Sequence, residues 1–149
     1  ENSGLSVALD LFAPVLAYLV GQDIPELSKN VDFIKPMFYR ITNAPAGIPF
    51  ELKGYLDSFK AVNVDATGVL EKCWLQDNLC SDVAFERQLF LLYNKETRPG
   101  IEVNIVDGIC DNTPEYVSQS INVLKRTGFS EPVLSWNLLN DVGSNLDVL

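Results

Sequence analysis

The stretches VDFIKPMFYR at residues 31–40 and PVLSWN at residues 132–137 decide the fold. Each is a short apolar run that ends in polar or aromatic residues, which is typical of a buried strand in a parallel sheet. Similar runs lie near residues 6–12 and 101–106, and helix-like segments separate the runs. This alternation predicts an α/β fold with a parallel sheet and right-handed crossovers.

The four runs divide the 149 residues into four βα units of one domain, residues 1–149. We place the strands near 6–12, 33–39, 101–106 and 133–136, with a helical insertion over 61–97. A complete (β/α)₈ barrel needs roughly 250 residues. The chain is therefore either a smaller α/β fold or a piece of a barrel, and four βα units favour a TIM-barrel-like half.

Capping residues predict where several helices begin and end. Pro49 begins a helix, and Asp82 is a candidate N-cap for a helix over 83–94. Thr113 caps another helix with Pro114 at its first position, and Gly128 ends that helix. A short helix is expected over 141–149.

Composition excludes several classes of function. The net charge is −9, which disfavours nucleic acid and anionic membranes as partners and suits a neutral ligand. The chain has no histidine, so His-based triads and His-ligated metal sites are excluded within it. The apolar stretch 5–20 is too short and too polar to span a membrane. No GxGxxG, P-loop or paired CxxC motif occurs, and we expect no metal and no cofactor.

Three cysteines, Cys73, Cys80 and Cys110, do not form a zinc motif. They are interpreted as buried or inert thiols. A Cys73–Cys80 disulfide is the alternative if the protein is secreted. We favour a cytoplasmic location and keep the secreted one open.

Period-2 alternation assigns the strand residues to two faces. One face is continuously apolar and should pack on helices. The opposite face, the barrel interior, carries polar and charged residues: Asp10, Lys35, Tyr39, Glu102 and Asn104. Because buried charges need partners, Asp10, Lys35 and Glu102 are expected to form one network. A solvated sheet face is the alternative interpretation of the same pattern.

The strand ends resemble those of chitinase-type glycoside hydrolase barrels. Met37 and Tyr39 match the Met-x-Tyr pattern at the end of that family's sixth strand, and Trp136 matches the Trp that ends its eighth strand. The resemblance implies the second half of a barrel, with Trp136 as the floor of a sugar subsite and Tyr39 as a hydrogen-bond donor. Tyrosine and tryptophan in strands also occur simply as core residues.

The family's Asp-rich motif ending in Glu is absent, so the resemblance places the catalytic acid upstream of Glu1. Lys35, Pro36 and Arg40 also depart from the family's strand. A different glycosidase-like barrel is therefore expected rather than a true chitinase. Glycoside hydrolysis needs two carboxyl groups, and the candidates here are Asp10 and Glu102, with Asp107 at a strand end.

The predicted site comprises catalytic and substrate-binding candidates. The catalytic candidates are Asp10, Glu102 and Tyr39. Glu102 is expected at the start of its strand, away from the substrate edge. The substrate-binding candidates are Lys35, Met37, Arg40, Asn104, Asp107, Trp136 and Asn137. On the last strand, polar alternation selects Ser135 and Asn137, whereas the resemblance selects Trp136.

Three functions remain open. The first is a glycoside hydrolase-like carbohydrate-active barrel, which is an enzyme if joined to its N-terminal half. The second is a non-catalytic carbohydrate-binding or self-associating half-barrel. The third is a barrel enzyme that forms a Schiff base through Lys35. Because half a barrel leaves open sheet edges, the expected partner is the chain's own N-terminal half or a second copy.

Overall fold

A computed structural model describes residues 4–65, 79–92, 96–135 and 142–149. Four parallel strands form a sheet in the order β1-β2-β3-β6. They are β1 (Ala8–Phe12), β2 (Phe33–Met37), β3 (Gly100–Glu102) and β6 (Val133–Ser135). The strands therefore lie side by side in chain order, and the predicted α/β class with a parallel sheet is confirmed.

Helices separate the strands of this sheet. After β1 come α1 (Pro14–Ala17) and α2 (Ile24–Leu27), which are followed by 3₁₀ turns at Tyr18–Val20 and Ser28–Asn30. The longer helices are α3 (Ile48–Ala61), α4 (Asp82–Phe90) and α5 (Pro114–Arg126). A 3₁₀ helix, Gly143–Val148, follows β6. No helix of the described residues is long and apolar enough to cross a membrane.

The predicted caps of α5 are confirmed. Thr113 Oγ1 accepts a hydrogen bond from Tyr116 N, Pro114 is the first residue, and Gly128 has a positive φ of 87° beyond the last turn. The predicted cap of α4 is wrong by one residue. Ser81, not Asp82, is the N-cap, and its hydroxyl accepts from Ala84 N.

The third predicted strand, 101–106, is present, but its predicted end is wrong. The parallel strand β3 ends at Glu102, and Ile105–Val106 (β4) pairs antiparallel with Cys110–Asp111 (β5) in a separate hairpin. Val103 N still bonds Ser135 O at 2.9 Å, but the chain then turns away. Glu102 is therefore the last residue of its strand, at the carboxyl edge of the sheet.

The two faces of the sheet differ in burial as alternation predicts. Leu11, Ile34 and Phe38 are fully buried on the apolar face, where the core also holds side chains of α4 and α5. On the other face Asp10 is exposed and Lys35 and Met37 are half-buried, whereas Glu102 and Ser135 are buried. We call this face, open at β1 and β2 and buried at β3 and β6, the half-open face. The register pairs Asp10 with Lys35 and Phe12 with Met37.

A loop leaves β2 and returns tightly to the start of α3. Ile48 N bonds Tyr39 O at 2.8 Å, and Gly47 N bonds Ala44 O at 2.8 Å. A Cβ added to Gly47 would lie 1.9 Å from Thr42 O. Glycine is required here for space, since its φ of −73° is open to any residue.

Gly47→Ala should therefore destabilise the fold by about 2 kcal/mol or more, because neither backbone segment can move freely. Gly54→Ala is the matched control. Gly54 lies within α3 with open space around it, so alanine there should stabilise by about 0.5–1 kcal/mol. Chemical denaturation of both variants checks this pair. Equal stability of the two variants would contradict the packing argument.

Candidate functional site

Glu102 is the centre of a buried polar cluster at the carboxyl edge of the sheet. Glu102 is 2% exposed. Oε1 accepts hydrogen bonds from Arg40 N at 2.6 Å, Ile41 N at 2.8 Å and Tyr116 OH at 2.8 Å. Oε2 accepts from Thr42 N at 3.1 Å and from the Thr42 hydroxyl. Cys110 Sγ also lies 4.0 Å from Oε2, so each oxygen has three donors and the carboxylate is compensated for its loss of water.

Arg40 forms the other charged part of the cluster. Nη1 donates to Asp82 Oδ1 at 2.8 Å and to Cys80 O at 3.1 Å, and Nη2 donates to Ser120 Oγ at 2.8 Å. The guanidinium also lies over the rings of Phe85 and Tyr116, at 4.7 and 4.9 Å from their centroids. Arg40 therefore ties the loop after β2 to α4 and α5.

Tyr116 and the cysteines around the cluster are held in their protonated forms. Burial raises the pKa of Tyr116 far above its ordinary value, and the negative charge of Glu102 raises it further. Burial also raises the pKa of Cys80, and that of Cys110 to about 11. Cys110 Sγ lies 3.1 Å from Thr42 Oγ1 and 3.0 Å from Asn112 Nδ2. These neutral groups suit a structural cluster and not a nucleophilic thiol.

The expected network of Asp10, Lys35 and Glu102 is only partly present. Lys35 Nζ bonds Asp10 Oδ2 at 2.7 Å on the half-open face. Glu102 takes no part in this ion pair, since its partners come from the loop after β2 and from α5.

Met37 is the last residue of β2, and Tyr39 follows two residues beyond it. Tyr39 is 5% exposed, and its hydroxyl makes no hydrogen bond within the described part of the chain. Met37 is half-buried beside Phe12. The Tyr39 hydroxyl therefore keeps hydrogen-bonding capacity within the described part of the chain, and Phe12 and Met37 are partly exposed apolar side chains.

The remaining candidates are dispersed. Arg40, at 2% exposure, is enclosed by its own cluster. Asn104 is buried, and its carbonyl accepts from Asn112 Nδ2 at 2.9 Å. Asp107 lies exposed at the tip of the β4–β5 hairpin and not at the end of a parallel strand. Trp136 and Asn137 lie outside the described residues.

Sequence reasoning missed the groups that hold Glu102, above all Thr42 and Tyr116. Thr42 lies in a loop recognised only by its turn residues, and Tyr116 lies in the first turn of α5. The one signal was Glu102 itself. A glutamate in an apolar strand requires donors, but their positions depend on tertiary structure.

Comparison with protein families, with curated proteins and with solved structures finds no match to this chain. Among the described residues, no group of three or more His, Cys, Asp or Glu side chains could hold a metal ion.

Tyr116→Phe should destabilise the protein by about 1.5–3 kcal/mol, because it removes a hydroxyl that donates to a buried carboxylate. Tyr18→Phe is the control, since Tyr18 is 64% exposed on a 3₁₀ turn and should change stability by less than about 0.5 kcal/mol. Urea denaturation measures both. A Tyr116→Phe variant as stable as Tyr18→Phe would contradict a net stabilising role for this bond.

Proposed function

We propose that this chain is half of a (β/α)₈-type barrel, similar to glycoside hydrolases, and that it binds a neutral carbohydrate at the carboxyl edge of its sheet. The observation that carries the proposal is the half-open face of a parallel sheet whose strands follow chain order. In barrels of this kind the substrate lies at the carboxyl ends of the strands. Parallel sheets ordinarily have both faces covered, so this face needs a partner.

The residues at this edge suit a sugar better than a charged ligand. Phe12 and Met37 are paired in register and offer apolar surface for the C–H side of a ring. The Tyr39 hydroxyl has a hydrogen bond left to make, and Trp136 follows β6 in the chain. Lys35 and Asp10 neutralise each other, so the face carries little net charge.

The role we assign to this chain is binding and not acid–base chemistry. Glu102 already accepts six hydrogen bonds, three on each oxygen, and could protonate a leaving group only by giving up donors. Asp10 is engaged by Lys35. The catalytic acid of the proposed barrel would then lie outside this sequence.

Isothermal titration with neutral β-1,4-linked tetrasaccharides of glucose and of N-acetylglucosamine tests the proposal. Tyr39→Phe should weaken binding about fivefold to tenfold, the cost of one hydrogen bond. Trp136→Ala should weaken it more, because an aromatic face is lost. Tyr18→Phe, a change on an exposed turn, should bind as the unaltered chain does. Absence of binding at millimolar sugar, or equal affinity of all variants, would reject the proposal.

Self-association is the second candidate, and the open edges of the sheet favour it. Within the described residues β1 and β6 are the edge strands, each paired on one side only. Unpaired strand edges tend to acquire a partner. A second copy could pair its β1 with β6 and cover the half-open face.

Sedimentation equilibrium should then give twice the chain mass of 16.5 kDa. Val7→Lys, next to the β1 edge, should shift the equilibrium to the monomer, because lysine at an edge opposes strand pairing. Val62→Lys is the control, since Val62 is similarly exposed but follows α3. A monomer at all concentrations would reject self-association and leave a separate N-terminal half as the partner.

A further inference from the structure

Three successive backbone N–H groups, those of Arg40, Ile41 and Thr42, point at one carboxylate. Their distances to the Glu102 oxygens are 2.6, 2.8 and 3.1 Å. Successive N–H groups that converge in this way form a concave anion site, often called a nest. Here the anion comes from the chain itself, 60 to 62 residues away in sequence.

The nest belongs to a segment that we call the binding loop, residues 38–47. The loop starts just beyond β2 and contains Tyr39. Its far end is closed by the Ile48–Tyr39 bond, and Asn43 N bonds Ile109 O at 2.7 Å. Between these points Glu102 supplies the acceptor for every backbone N–H from 40 to 42. The carboxylate thus fastens the loop to the end of β3.

We propose that Glu102 is the positioning residue of the binding loop: its carboxylate fills the nest at residues 40–42 and thereby holds Tyr39 in place just beyond the end of β2. Tyr39 immediately precedes the first nest residue, so we expect a change in the nest to alter the position of its side chain. The effect on a ligand rests on the proposed sugar function, whereas the fastening of the loop does not.

Amide hydrogen exchange by NMR tests the fastening directly. In Glu102→Gln one carboxylate oxygen becomes an NH₂ group. If the remaining oxygen keeps the three donors of Oε1, the Thr42 N–H loses its acceptor. The Thr42 amide should exchange at least tenfold faster, while the buried amides of Val123 and Leu124 in α5 keep their rates. Glu131→Gln is the control, because Glu131 is exposed and pairs only with Arg98 among the described residues.

Two results of this experiment would overturn the proposal. One is a folded Glu102→Gln protein in which residues 40–42 exchange as before. The other is an equal rise at 40–42 and in α5, which would mean that Glu102 stabilises the whole fold and does not position one loop.

Acetate provides a second, independent test. Glu102→Ala leaves the nest without its anion, and sodium acetate should restore slow exchange at residues 40–42. Sodium chloride at the same ionic strength should not. Equal effects of the two salts would contradict an anion nest. If Glu102→Ala does not fold, the Glu102→Gln exchange rates decide the matter alone.

The sugar titration separates this proposal from the proposed function. If the unaltered chain binds no sugar, the proposed function fails, and exchange at residues 40–42 still judges the role of Glu102. If sugar binds, Glu102→Gln should lose about as much affinity as Tyr39→Phe. Faster exchange at Thr42 with unchanged sugar affinity would overturn the positioning of Tyr39.

Discussion

The architecture at the carboxyl edge depends on one buried negative charge. A carboxylate without water is costly unless donors surround it, and Glu102 collects its donors from the loop after β2 and from the first turn of α5. Because those donors must converge, the ends of β2 and β3 and the start of α5 have one relative arrangement. The same requirement explains the nearby glycine. Gly47 lets the loop close against Thr42 without a steric clash.

Arg40 extends this constraint into the helical layer. Its backbone N–H serves Glu102, while its guanidinium bonds Asp82, Ser120 and the Cys80 carbonyl. Glu102 and Arg40 are therefore buried charges of opposite sign, but each charged group makes its hydrogen bonds mainly with other residues. Removal of either would leave the remaining donors or acceptors unpaired, which is more costly than the loss of one bond. The loop, α4 and α5 are consequently joined through Arg40.

Much of the fold followed from local patterns in the sequence. Periodicity identified β1, β2 and β6, and cap chemistry located α5, because both depend on neighbours within a few residues. The third strand was predicted too long because apolar and polar residues alternate without a break from 101 to 106. The chain pairs with β2 and β6 only up to Glu102, and from Ile105 it pairs with β5. Alternation reports the pleat of the chain and not the strand that pairs with it. Glu102 was selected correctly as a buried acidic residue, but its position at the carboxyl edge could not be derived from that run.

The prediction of the candidate site was limited in the same way, because it also depended on contacts between distant parts of the chain. The sequence brought together charged residues on one face, and Lys35 and Asp10 do pair there. It also predicted that Glu102 would join them, although the Glu102 carboxylate accepts hydrogen bonds from the backbone N–H groups of residues 40–42 instead. Every residue except proline has a backbone N–H, so no pattern of side chains could predict that residues 40–42 would donate to this carboxylate. Once the carboxylate has those donors, the face is left with an ion pair, two apolar side chains and the Tyr39 hydroxyl. The proposed function follows from this composition, because such a surface suits a neutral ligand better than proton transfer.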